Sequence, residues 1–207
     1  MNAPRLWLVR HARPLVDAGV CYGRLDLAAD AKATRSAAQA LARALPPSIA
    51  ATIHSPLQRC ELLAFELQAF RPDLASNPEP AIAELDFGAW EGCAWSGIAR
   101  ADIDRWSADF PHHAPGGGES LAHMLQRVAR ALHAAQERAA AAQADVVWLS
   151  HAGVARCVQW LLAHGAQRLP QAHEWPVQAP GFGAWTTLPL AGAGTAHAGL
   201  AQHYLKA

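Results

Sequence analysis

Three short apolar runs, Arg5-Leu-Trp-Leu-Val9, Ile49-Ala-Ala-Thr-Ile53 and Asp145-Val-Val-Trp-Leu149, constrain this chain more than any other feature. Each is too short for a helix and nearly continuous in apolar character, the pattern of a strand buried on both faces. Each leads on towards a segment with helical periodicity. Asp30 is placed to cap an Ala-rich helix over about 31–45, with Ala38, Leu41 and Leu45 on one face and Pro46-Pro47 as the stop. Ser55 and Pro56 read as the cap and first turn of a second helix, in which Cys60, Leu63, Ala64 and Leu67 form one stripe. Ser120 reads as the cap of a long helix carrying Leu121, Leu125, Val128, Leu132 and Ala135, and Leu149 is followed by a helix through Val154, Val158 and Leu161. Strands alternating with helices predict an α/β fold: a single domain over residues 1–207, with a mainly parallel sheet flanked by helices on both faces. A further extended segment is expected near 80–83, short helices in the Trp-rich stretch to Phe110, and two closing strands after Pro180, FGAWTTL and TAHAGLAQHYL, paired as a hairpin.

In such sheets ligands bind beyond the carboxyl ends of the strands. His11, Arg59 and His151 all fall there, with Arg10 beside His11. The chain has a formal net charge of zero, so it carries no electrostatic footprint for nucleic acid or an anionic membrane, and its arginines matter by position. Two histidines and two arginines at one mouth suit a phosphate dianion. Arg10 and Arg59 present planar forks of donors that match phosphate oxygens, and His11 is the candidate nucleophile, since a neutral imidazole with one nitrogen fixed by an acceptor attacks through the other. His151 adds donors to the same oxygens. An alkoxide leaving group needs a proton, and Glu84, Asp86 and Glu91 in AELDFGAWEG are all candidates to deliver it.

Other chemistries fit less well. No cysteine has Arg six residues later, and Asp102-Ile-Asp104-Arg-Trp lacks the last residue of an aspartate-phosphatase motif. His112-His113 are adjacent and poorly suited to one ion, so no metal site is read. Cys21, Cys60, Cys93 and Cys157 are widely and irregularly spaced, as in a chain with reduced thiols. The absence of a long apolar stretch makes a cytoplasmic protein the expectation. Trp90, Trp95 and Trp106 read either as a wall that stacks a planar substrate or, the favoured reading, as packing of core and lid.

The segment LWLVRHA resembles the signature strand of the histidine phosphatase (phosphoglycerate mutase-like) superfamily, which ends in Arg-His-Gly. HSPLQRC, ELDFGAWEG, PGGGES and LSHAGV resemble four further blocks of that family, in family order, so the resemblance runs from residue 6 to residue 154. It implies that His11 is phosphorylated, that Arg10, Arg59 and His151 form the phosphate pocket, and that Glu84, four positions before Gly88, is the proton donor. It also implies a phosphoglycerate mutase-like fold, no metal or organic cofactor, and a small-molecule phosphate ester as partner; a homodimer is one assembly the sequence allows. GVCYGRLD (19–26) is similar to a loop of the α-ribazole phosphatase branch, although Ala12 replaces the usual Gly, Arg13-Pro14 the usual Glu-Thr, and Leu25 stands where Thr is common. Ala12 is expected to be tolerated only at negative φ. The expected activity is a phosphatase. The alternatives are a mutase-type phosphoryl transferase, for which the 85–118 segment is a short lid, and a non-catalytic phospho-ligand binder, which would have no need of both nucleophile and acid.

Overall fold

The computed structural model describes residues 3–190. Strands β1 (Arg5–Arg10), β2 (Ile49–His54), β3 (Ser76–Pro78), β4 (Asp145–Ser150) and β5 (Trp185–Pro189) form one sheet in the order β3-β2-β4-β1-β5. All pairings are parallel except that of β5, which runs antiparallel to β1. The expected α/β architecture is thus present. Helices α1 (Ala31–Ala44), α2 (Gln58–Phe70), α4 (Leu121–Ala142) and α5 (Ala152–His164) cover the sheet, and α3 (Arg100–Ala108) lies in the Trp-rich stretch.

The two-residue period of the strands sorts the core into two halves. Leu6 and Leu8 of β1 and Val146 and Trp148 of β4 face α4 and α5, while Val9, Val147 and Leu149 face α1 and α2. The apolar runs of β1 and β4 are continuous because both faces are covered. β1 and β4 are neighbours, yet α1, which follows β1, and α5, which follows β4, lie on opposite faces. This divergence opens a crevice at the carboxyl ends of β1 and β4, where Arg10-His11 and Ser150-His151 emerge.

Two local expectations are corrected and a third is tested only in its first half. α2 begins at Gln58, with Leu57 at its N-cap and no side-chain cap, because the Ser55 hydroxyl is taken by His151 across the sheet end. Residues 80–82 form a 3₁₀ turn and the extended segment is β3, displaced to 76–78; Pro80 and a bond from Ala81 N–H to the Glu79 carboxylate favour the turn. Of the two closing strands only FGAWTTL is seen, as β5 pairing with β1; TAHAGLAQHYL (195–205) lies outside the described residues. Among the described residues no helix is long and apolar enough to cross a membrane.

Candidate active site

Parallel pairing of Arg10 with Ser150 brings the next residues together: the His11 and His151 rings lie 5.1 Å apart at an interplanar angle of 61°. Arg59, in the first turn of α2, and Glu84, just beyond the 3₁₀ turn, reach the same cavity of about 380 Å³. All five residues singled out in the sequence therefore line one cavity. Asp86 and Glu91 do not. Asp86 accepts from Gly88 N–H at 2.8 Å, and Glu91 accepts from the N–H groups of Gly23, Arg24, Leu25 and Phe87 at 2.8–2.9 Å.

His11 is 2% exposed, and its Nδ1–H donates to the Ala12 carbonyl at 2.7 Å. That bond fixes the tautomer and leaves the Nε2 lone pair available. Burial, reinforced by the Arg59 and Arg10 charges, lowers the pKa from 6.5 to about 3, so the ring is neutral at physiological pH. Ala12 has negative φ, as the substitution requires; among the described residues Gln143 is the one non-glycine in the left-handed region. His151 is also held neutral by burial and by the Arg59 charge. Its Nε2 meets the Ser55 Oγ at 2.8 Å; with the serine hydroxyl as donor, Nδ1 carries the ring hydrogen. Because burial lowers the pKa values of His11, His151 and His54 in the fold, the stability linked to their neutral forms is complete above pH 6.5 and falls below it, for His11 down to about pH 3. The melting temperature should drop through that window, and His11→Gln should flatten the slope; an unchanged slope would contradict a buried neutral His11.

Arg59 is fully buried, its two terminal nitrogens donating to the carbonyls of Leu25 (2.8 Å) and Gly23. Arg10 is held by the chain before β5: its Nη1 donates to the Pro180 carbonyl at 3.2 Å and its guanidinium lies 3.8 Å from the Phe182 ring centroid. Yet the Nε of Arg10, the Nε of Arg59 and the Nδ1 of His151 are buried without a partner among the described residues. Unsatisfied buried donors are costly, and three of them around one cavity fit an oxyanion. The Glu84 carboxylate accepts from Gly153 N–H at 2.9 Å, at the start of α5. A Cβ on Gly153 would meet Glu84 Oε1 at 2.1 Å, so this residue must be glycine for the acid to sit there.

The far side of the cavity is aromatic, with Phe87, Trp95, Trp106, Phe110 and Trp175 on its lining. Trp95 and Trp106 stack 6.5 Å apart at 14° on the cavity lining, and Trp90, buried behind them, meets both edge-on, as packing residues do. Two contributors escaped the sequence. Arg127 of α4 donates to the carbonyls of Ala81, Ala83 and Glu84 and pairs with Glu119, pinning the backbone beneath the acid. Arg156 of α5 lines the cavity itself. Its place in the first turns of a helix that follows a strand end, the criterion that singled out Arg59, was the available signal. His54, bonded to Ser76, and His164, packed on Trp160, lie outside the cavity.

A family model described as Histidine phosphatase superfamily (branch 1) matches residues 6–178. The chain belongs to this superfamily. Among solved histidine phosphatase-like structures, the α-ribazole phosphatase of Shigella flexneri is 26% identical with a TM-score of 0.72, covering 88% of this chain and 89% of that one. A mycobacterial glucosyl-3-phosphoglycerate phosphatase, in complex with VO3, is 25% identical with a TM-score of 0.69, covering 89% of this chain and 92% of that one. A bifunctional protein of Mycobacterium tuberculosis is 37% identical over 86 residues, 40% of this chain; the match spans 23% of that protein, about a quarter of its length. Membership and phosphatase neighbours support phosphatase activity for this histidine phosphatase superfamily member.

Proposed function

We propose that the protein hydrolyses a small-molecule phosphate monoester through a phosphohistidine on His11, without a metal. The observation that carries this reading is the His11 imidazole, neutral and with Nδ1–H tied to the Ala12 carbonyl, in a cavity it shares with Arg10, Arg59, His151 and Glu84. His11 Nε2 attacks phosphorus in line as the P–O bond to the leaving alcohol breaks, and Glu84 gives that oxygen its proton. Arg10, Arg59 and the Nδ1–H of His151 hold the three non-bridging oxygens through the transition state. Water, deprotonated by the Glu84 carboxylate, then attacks the phosphohistidine, releasing phosphate and restoring both groups. The aromatic wall suits an ester with a planar group, and α-ribazole 5′-phosphate, which joins a ribosyl phosphate to a benzimidazole, is the substrate we favour; likeness to the Shigella flexneri enzyme supports it.

Turnover of α-ribazole 5′-phosphate, 3-phosphoglycerate and p-nitrophenyl phosphate with a chelator present tests the reading. Hydrolysis of the first in preference to the second is expected; phosphoryl transfer between phosphoglycerates without net release would favour a mutase, and binding without turnover a phospho-ligand binder. Glu84→Gln should slow an alkyl ester by about 10²–10³-fold and a p-nitrophenyl ester, whose leaving group needs no proton, by far less. Gly153→Ala, which drives the carboxylate from its seat, should show the same dependence on leaving group. An equal loss on both esters in the two variants would remove Glu84 from the role of acid.

A further inference from the structure

Among the described residues, Arg156 is the one arginine on the cavity wall to which the reaction above gives no task. It is the fifth residue of α5 and lines the cavity with His11 and Glu84. Its Nη2 donates to the Val177 carbonyl at 3.1 Å, and its Nε is buried without a partner among the described residues. Its place along α5 locates it relative to the chemistry. His151 is the N-cap of that helix, and Gly153 N–H holds the Glu84 carboxylate. Arg156 follows Gly153 by three residues, so it occupies the neighbouring position on the same face, about 4.5 Å further along the axis. Along α5 from His151 it lies beyond the Gly153 N–H that seats Glu84, the acid to which the reaction above gives the leaving oxygen.

The same lining carries Trp106, Phe110 and Trp175. A guanidinium with an unused donor among aromatic rings binds an oxygen acceptor strongly, and an ester that lacks one leaves the donor unsatisfied. The cavity, at about 380 Å³, has the size of sites that enclose an organic ligand as well as a phosphoryl group. We infer that Arg156 is a specificity-determining residue that hydrogen-bonds an oxygen of the leaving alcohol, in esters whose phosphate is joined to a planar group through an oxygen-bearing linker such as a ribose. The inference rests on the phosphatase reading above.

Its test compares wild type, Arg156→Gln and Arg156→Lys on two probes: adenosine 5′-monophosphate, with ribose oxygens and a planar base, and phenyl phosphate, with no oxygen beyond the phosphate group. In Arg156→Gln the selectivity for the nucleotide over phenyl phosphate should fall about 10–100-fold, through KM rather than kcat, and Arg156→Lys should recover part of it. The inhibition constant of inorganic phosphate should stay as in wild type. An equal loss on both probes, a weakened inhibition by phosphate, or an unchanged selectivity would each overturn the assignment, the first two by placing Arg156 in the phosphate clamp or the fold. Wild type that cleaves phenyl phosphate and not the nucleotide would overturn the linker assignment alone. Wild type that cleaves neither would overturn the phosphatase reading and this inference with it.

Discussion

His11→Ala should reduce phosphate release from any monoester by more than about 10⁴-fold, to the rate of a protein-free control. No neighbour can substitute for the lost ring. His151 is the nearest imidazole, but its Nε2 is engaged by Ser55 and its Nδ1 carries the hydrogen that would face the phosphoryl oxygens. Ser55 is itself fully buried beneath it. The substitution removes a neutral side chain and one hydrogen bond to the Ala12 carbonyl, so the fold should survive. Arg10, Arg59 and His151 remain, and inorganic phosphate should still bind, which separates lost chemistry from a lost site. Acid-stable label after quenching, or turnover above a tenth of wild type, would rule out His11 as the attacking group; acid-labile, base-stable label on wild type alone is the expected result.

Arg59→Ala should be nearly as damaging, lowering kcat/KM by about 10³-fold, with losses in both kcat and KM. The reason is structural as well as electrostatic. The guanidinium joins the oxyanion site to the loop at 23–25 through the Leu25 and Gly23 carbonyls, and its removal leaves those acceptors buried beside a void. A melting-temperature drop should accompany the loss. Arg59→Lys keeps the charge but cannot form both carbonyl bonds while addressing phosphate, so it should recover phosphate binding more than rate. If Arg59→Lys matched wild type in kcat/KM, the bidentate role would be refuted.

The parts of the fold that sequence patterning made legible are those in which local and tertiary preferences agree. β1, β2 and β4 are short because each is bounded by polar or turn residues, and Asp30 and Ser120 cap their helices as expected because their side chains have no competing partner. Ser55 had one. A buried imidazole 96 residues away offered it a better bond than the end of α2, and no local rule registers that distance. The carboxylates were ambiguous to residue pattern alone for a related reason: Glu84, Asp86 and Glu91 lie within eight residues, the family resemblance was needed to single out Glu84, and the backbone N–H groups that each finds in three dimensions show how their placements differ. Arg127 and Arg156 look in the sequence like solvated helix charges. One is pinned to a loop and the other faces a cavity because of how α4 and α5 pack, which their own periodicity does not encode.

The clamp on the loop at 23–25 has a consequence for which positions of the loop can vary. Glu91 grips that loop by three backbone N–H groups and Arg59 by two backbone carbonyls, so the loop is held chiefly through its main chain; Leu25 is exposed, and the half-exposed Arg24 adds a long ion pair to Asp86 at 3.9 Å. Gly23 is the exception, since a Cβ there would meet the Leu85 carbonyl at 1.9 Å. Anchorage by main chain leaves the two outer positions, which lie off the cavity lining, replaceable without loosening the machinery beneath, and the departure at Leu25 falls where the fold is least demanding.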